Sequence, residues 1–188
     1  MSLTDLLRKT AFVAGLALSA SLNSGCAFGN RHVDLKYDAC VTSVQSQRGE
    51  FSVGEFKNEL ETDKKGRQII GCVRNGYGWK TAKVLANNDA AEWLRGAIEK
   101  ELECNGYRKV ESGAPVINGK LNRLYTDLYM NYNSEISFSI GLNDGNNTVF
   151  VDSFYGNATP LAWFATSGEY ERSSKEALQS ALRKTIPR

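Results

Sequence analysis

Few residues in this chain are equipped to do chemistry. His32 is the only histidine among 188 residues, so a Ser-His-Asp triad and a multi-histidine metal site are excluded by count. The four cysteines, Cys26, Cys40, Cys72 and Cys104, lack the close spacing of a zinc site or a C-x-x-C redox motif. Gly71 and Gly76 have the spacing of a phosphate-binding loop, but Tyr77 stands where the lysine is required. Two carboxylates break their local pattern. Asp127 lies between Leu124-Tyr125 and Leu128-Tyr129, and Glu101 projects into the apolar stripe of a helix. A buried carboxylate can act as a general acid or base, but carboxylates are rarely buried unless paired. The expectation is therefore an Asp127 that points outward from a strand and a Glu101 that reaches round to solvent. No catalytic residue, metal or dissociable cofactor is expected. Aromatic side chains with polar tips are better leads, because they suit interfaces. Tyr125, Tyr129 and Tyr132 are near one another in sequence, and Trp163-Phe164 falls in a loop close to Tyr155. Both groups are candidate interaction surfaces; the alternative is that they complete the core.

The N-terminal stretch carries a different chemistry. Arg8 and Lys9 precede the apolar run Ala11 to Leu18, which is shorter than the roughly 20 residues a bilayer span needs. Its length and basic flank fit an export signal. The segment closes as Leu22-Asn23-Ser24-Gly25-Cys26. This resembles a bacterial lipobox, in which a cysteine after a small residue is acylated and becomes the mature N-terminus. Here the leucine sits one position further out than the pattern places it. Residues 1–25 are read as a lipoprotein signal peptide, 26–31 as a lipidated N-terminus and tether, and 32–188 as one periplasmic domain. The alternative is an ordinary signal cut after Ala27. By the same resemblance, Ala27 in place of an inner-membrane retention aspartate points to the outer membrane.

Removing residues 1–25 leaves 163 residues, enough for one domain with a real core. They carry 21 basic and 20 acidic side chains, a balance that argues against nucleic acid as a partner. With Cys26 acylated, Cys40, Cys72 and Cys104 remain as possible disulfide partners. They allow one bridge in three alternative pairings, and export makes a bridge permissible.

The elements that must position these residues follow from periodicity. Alternation predicts a strand over His32–Tyr37, with Val33, Leu35 and Tyr37 on one side. Two more strands are expected near Phe51–Phe56 and Gln68–Val73, and the glycine-aromatic loop 74–80 follows. Asp89 opens a helix with Glu92 in a capping-box position. Ala90, Leu94, Ala97, Ile98 and Leu102 form its stripe, Gly96 is expected to allow close approach to a sheet, and Gly106 closes it. Strands follow over Tyr107–Val110, Val116–Met130 with a bulge near Asn122-Arg123, Glu135–Leu142 and Thr148–Tyr155. Asp144-Gly145 supplies a hairpin turn between the last two. A second helix is expected from Ser173, capped through Glu176, with Leu178, Ala181, Leu182 and Ile186 as its stripe. Helices apolar on one side and strands that alternate predict an α+β two-layer sandwich, a mainly antiparallel sheet with both amphipathic helices on one face.

Trp93-Leu94, Ile98-Glu99-Lys100, Gly106-Tyr107 and Leu124-Tyr125-Thr126-Asp127-Leu128, together with the lipobox and this element order, resemble the YajG-type bacterial outer-membrane lipoproteins over roughly residues 85–186. The resemblance implies a periplasm-facing lipoprotein anchored in the outer membrane through a covalent lipid on Cys26. The expectation is a non-enzymatic cell-envelope protein, a binding or assembly module for an envelope protein or cell-wall partner. The alternatives are a periplasmic or secreted carrier of a small molecule or lipid, and last a carboxylate-dependent hydrolase using Asp127 or Glu101.

Overall fold

The computed structural model describes residues 29–41, 43, 46–145, 147–161 and 166–185. Cys26, Trp163, Phe164 and Ile186 lie outside the described residues. The strands are β1 (Arg31–Val33), β2 (Gly49–Asn58), β3 (Ile69–Arg74) and β4 (Lys80–Ala86), then β5 (Tyr107–Lys109), β6 (Val116–Tyr129), β7 (Asn131–Asp144) and β8 (Asn147–Ala158). The helices are α1 (Ala90–Cys104) and α2 (Ser167–Thr185).

The long strand β6 organises the sheet. One of its edges pairs along its whole length with β7, antiparallel, and β7 pairs with β8. Its other edge is shared. The first half takes β2 in parallel, from Ser52 opposite Val116 to Asn58 opposite Leu121. The second half takes β3 in parallel, Gly71 opposite Thr126 to Val73 opposite Leu128. The expected bulge falls between Leu121 and Arg123, at the junction of these two partners, and lets the sheet curl. β4 adds antiparallel to β3, and β1 parallel to β4. The sheet is therefore mixed rather than mainly antiparallel. Among the described strands four of the seven pairings are parallel, β1 with β4, β2 with β5 and β6, and β3 with β6, because the chain crosses over between the members of each pair. β4 was not anticipated: Lys80-Thr81-Ala82-Lys83 shows no alternation, and its ladders with β3 and β1 decide its conformation.

Inward side chains of the sheet and one face of each helix form a continuous apolar cluster. Leu94 and Ala97 of α1, Leu178 and Ala181 of α2, and Leu121, Ile136 and Phe138 of β6 and β7 are fully buried within it. Burying one such leucine contributes about 2–3 kcal/mol. Asp89 caps α1 by accepting from the N–H groups of Ala91 and Glu92, at 2.7 and 3.0 Å, and Gly106 at φ 83° closes it. Gly96 does not serve close packing, since nothing lies near its missing side chain. Gly156 of β8 does: a Cβ there would stand 2.1 Å from the Ala177 carbonyl of α2.

α2 starts at Ser167, six residues before the expected Ser173. This segment offers two capping positions, and Thr166 with Glu169 is the one used, Thr166 Oγ1 accepting from Glu169 N at 3.3 Å. Ser173 and Ser174 are buried inside the helix. Their hydroxyls join Ser134 and Thr126 of the sheet in a hydrogen-bonded chain.

Between β1 and β2 the extended segment 34–41 keeps the expected alternation without a ladder. Leu35 is buried, Tyr37 half-buried, and Asp34 and Lys36 exposed. A disulfide joins Cys40 to Cys104 at the end of α1, with a Cα–Cα distance of 6.1 Å. Cys72 is free and buried.

Candidate functional site

The face of the sheet away from the helices carries an open groove of about 1170 Å3 between β3, β4, the 59–67 loop and β6. Arg74 on β3 and Asp127 on β6 form its floor. Parallel pairing places Cys72 opposite Asp127, so the Arg74 side chain two residues on reaches the carboxylate in a two-point pair, Nε to Oδ1 at 2.7 Å and Nη2 to Oδ2 at 2.6 Å. Arg74 Nη1 also donates to the Gly78 carbonyl at 2.8 Å. Asp127 thus points outward from the strand, as expected, but is engaged by Arg74 rather than free. The Arg74 hydrogen bonds hold its carboxyl below the usual range and push the guanidinium up.

Cys72 Sγ lies 3.4 Å from Asp127 Oδ1. Burial raises the thiol's pKa, so it is protonated at neutral pH and a weak nucleophile. Burial also raises Tyr125. Its ring is flanked by cations, Lys80 Nζ at 5.8 Å and the Arg123 guanidinium at 5.3 Å from the centroid. The lining is net basic, with Lys64, Lys65, Arg67, Arg74, Lys80, Lys83 and Arg123 against Glu59, Glu61, Asp63 and Asp127. Arg67, Arg74 and Arg123 are engaged by carboxylates. Among the described residues no carboxylate pairs with Lys64, Lys65, Lys80 or Lys83. The groove offers a cation-flanked aromatic ring beside the Arg74–Asp127 pair, with lysines on its lining that no described carboxylate engages. That arrangement suits holding an anionic group. It lacks a free base beside a nucleophile.

The other expected site residues separate. Tyr132 is fully buried and packs edge-on against Tyr170, with centroids 4.8 Å apart. It points inward with Ile136 and Phe138 by strand parity and belongs to the core, not to a surface. Tyr129 is 44% exposed at the tip between β6 and β7. Glu101 is fully buried rather than turned to solvent. It accepts from the Tyr37 hydroxyl and from Val41 N at 2.7 Å, and so ties the 34–41 segment to α1. Among the described residues no group of three histidine, cysteine or acidic side chains gathers as a metal site.

Sequence reasoning gave no role to Tyr77, Trp79 and Met130, which are 87%, 74% and 81% exposed. The glycine-aromatic composition of residues 74–80 was the available signal. It also gave no role to Val149, Phe150 and Val151, exposed on β8, which pairs only with β7 among the described strands.

No family model matches this chain, and no curated protein matches it. Solved structures do. A Xanthomonas campestris protein of the family DUF330 aligns with a TM-score of 0.51 at 11% identity, covering 84% of this chain and 91% of its own. An uncharacterised protein gives 0.46 at 7% identity, covering 84% and 99%. The PelC dodecamer from Paraburkholderia phytofirmans gives 0.36 at 12% identity, covering 78% and 93%. The likeness to the Xanthomonas campestris protein is one of fold.

Proposed function

We propose that this protein is a non-enzymatic binding module of the bacterial cell envelope, anchored by lipid on Cys26 at the periplasmic face of the outer membrane. It holds an envelope partner in the groove on the open face of its sheet. The observation that carries this reading is the groove itself, a net-basic channel with Tyr125 and unpaired lysines on its walls. Its charge selects a partner segment rich in carboxylate or phosphate groups. The signal and lipobox pattern of residues 1–26 and the resemblance to YajG-type lipoproteins support the location. Binding is favoured over hydrolysis because Asp127 is locked to Arg74 and the Cys72 thiol is protonated. It is favoured over lipid carriage because the side chains between helices and sheet form one continuous buried apolar cluster.

The test is site-specific photo-crosslinking in cells, with the reactive side chain at Asn122 on the groove wall. A discrete adduct that disappears when Lys80 and Lys83 are both changed to glutamate supports the proposal. An adduct unchanged by that charge reversal, or none, contradicts it.

A further inference from the structure

Tyr77 and Trp79 sit on the turn between β3 and β4, and Tyr129 and Met130 on the turn between β6 and β7. β3 runs parallel to β6, with Val73 opposite Leu128, so both turns leave the sheet at the same end. They touch: a Cβ on Gly78 would lie 3.3 Å from the Tyr129 ring. Leu161, 68% exposed, joins them through its bridge to Asn131. The result is one apolar and aromatic apron across two hairpin tips. Met130 holds φ 64°, a left-handed conformation that is strained for a non-glycine residue. A large thioether is thus presented to solvent at a position where glycine would be less strained. Contiguous exposed apolar surface of this kind marks an interaction site.

The start of the chain says what covers it. β1 is parallel to β4, with Arg31 opposite Val84, and the Asn30 side chain accepts from Lys83 N at 3.0 Å. Followed towards its N-terminus, β1 therefore runs alongside β4 in the direction of Lys80 and Trp79. Trp79 is four residues from Lys83, about 13 Å along the strand. Cys26 is three residues before Gly29, hence within roughly 11 Å of it whatever path is taken. A lipid on Cys26 would therefore tether the sheet by the end at which β4 begins, with the anchor no more than roughly 30 Å from Trp79. Tyrosine and tryptophan favour the bilayer interface, where the ring is apolar and its polar atom wet. We propose that the apron is a second membrane contact: Tyr77, Trp79, Tyr129 and Met130 seat in the interfacial layer of the bilayer that carries the Cys26 anchor. This rests on the lipid-anchored reading. It adds an orientation, with the two hairpin tips down and the β7–β8 turn away from the membrane, because Thr148 lies near the Val116 end of β6 through Asn143.

The test uses the protein as extracted from its native membranes, incorporated into vesicles of phosphatidylethanolamine and phosphatidylglycerol with brominated acyl chains. The tryptophan emission lost in Trp79→Phe is the Trp79 component. The expected result is a loss of that component's intensity relative to unbrominated vesicles, because an indole at the membrane interface lies beside the acyl chains. It should be weakened by Tyr77→Ser with Met130→Ser and unchanged by Val149→Ser with Val151→Ser at the opposite end. Intact mass on the same sample separates the two claims. Acylated protein with unquenched Trp79 leaves the anchor standing and overturns the apron. Unacylated protein that still shows quenching on added vesicles supports the apron and removes the anchor. Unquenched Trp79 shielded within an oligomer assigns the apron to a second copy of the chain and also overturns the proposal.

Discussion

Glu101 ties two distant parts of the chain at one buried point. The Tyr37 hydroxyl and the Val41 N–H, 64 and 60 positions away, both donate to Oε1. Replacing Glu101 with leucine leaves both part-buried donors without their acceptor, at up to about 1–3 kcal/mol each. Urea unfolding of Glu101→Leu should show a loss of roughly 2–5 kcal/mol, and a midpoint equal to that of the parent would refute the tie. Asp127 makes a prediction in pH. Its folded-state pKa is lowered, chiefly by the Arg74 hydrogen bonds. The pair therefore stabilises the protein above the unfolded carboxyl pKa of about 4, and that stability is lost as pH falls through the folded value. Asp63, held down to about 2 by Arg67, behaves likewise. The stability gap between parent and Asp127→Asn should be open at neutral pH and close as pH drops below about 4; a gap independent of pH would contradict the pairing. Neither partner was legible in the sequence. Helical period placed Glu101 on the buried stripe, but the hydroxyl that makes its burial tolerable lies 64 residues away, as Arg74 lies 53 residues from Asp127.

Elements with strong local signals were legible. α1 carries an aspartate cap, a period and a glycine stop, and β7 a clean alternation ended by Asp144-Gly145, whose glycine has φ 62°. The bulge at Leu121/Arg123 follows from the parity slip along β6. Elements decided by neighbours were not. β4 has no pattern of its own, and α2 offers two capping positions between which local sequence does not choose. The serines at the second position satisfy their hydroxyls on Ser134 and Thr126, which the sheet supplies from afar. The Cys40–Cys104 bridge belongs to this scale too: composition left three pairings open, and the fold brings these two together. It closes a separation of 64 residues, so reduction should cost about 4 kcal/mol in the chain-entropy view. Denaturant midpoints with and without reductant, in a Cys72→Ser background, measure this. An unchanged midpoint would show that the bridge does not form in the native protein.

At the scale of the molecule, α+β composition was readable from element order, but the sheet's mixed pairing was not. One-sided amphipathic helices say that helices pack on a sheet; they do not say which strands run parallel. That parallel pairing sets β3 beside β6. It thereby creates the Arg74–Asp127 floor, gathers the two hairpin tips at one end, and aims the start of β1 along β4 towards them. The groove and the apron are consequences of topology, assembled from residues 50 or more positions apart. The central claim is that Cys26 fixes this domain to a membrane. Intact mass of the protein extracted from native membranes, reduced and unreduced, tests it most directly. The account predicts a chain that begins at Cys26 and carries added acyl mass, with about 2 Da separating the two samples for the one bridge. A chain beginning near residue 28 without lipid would contradict it.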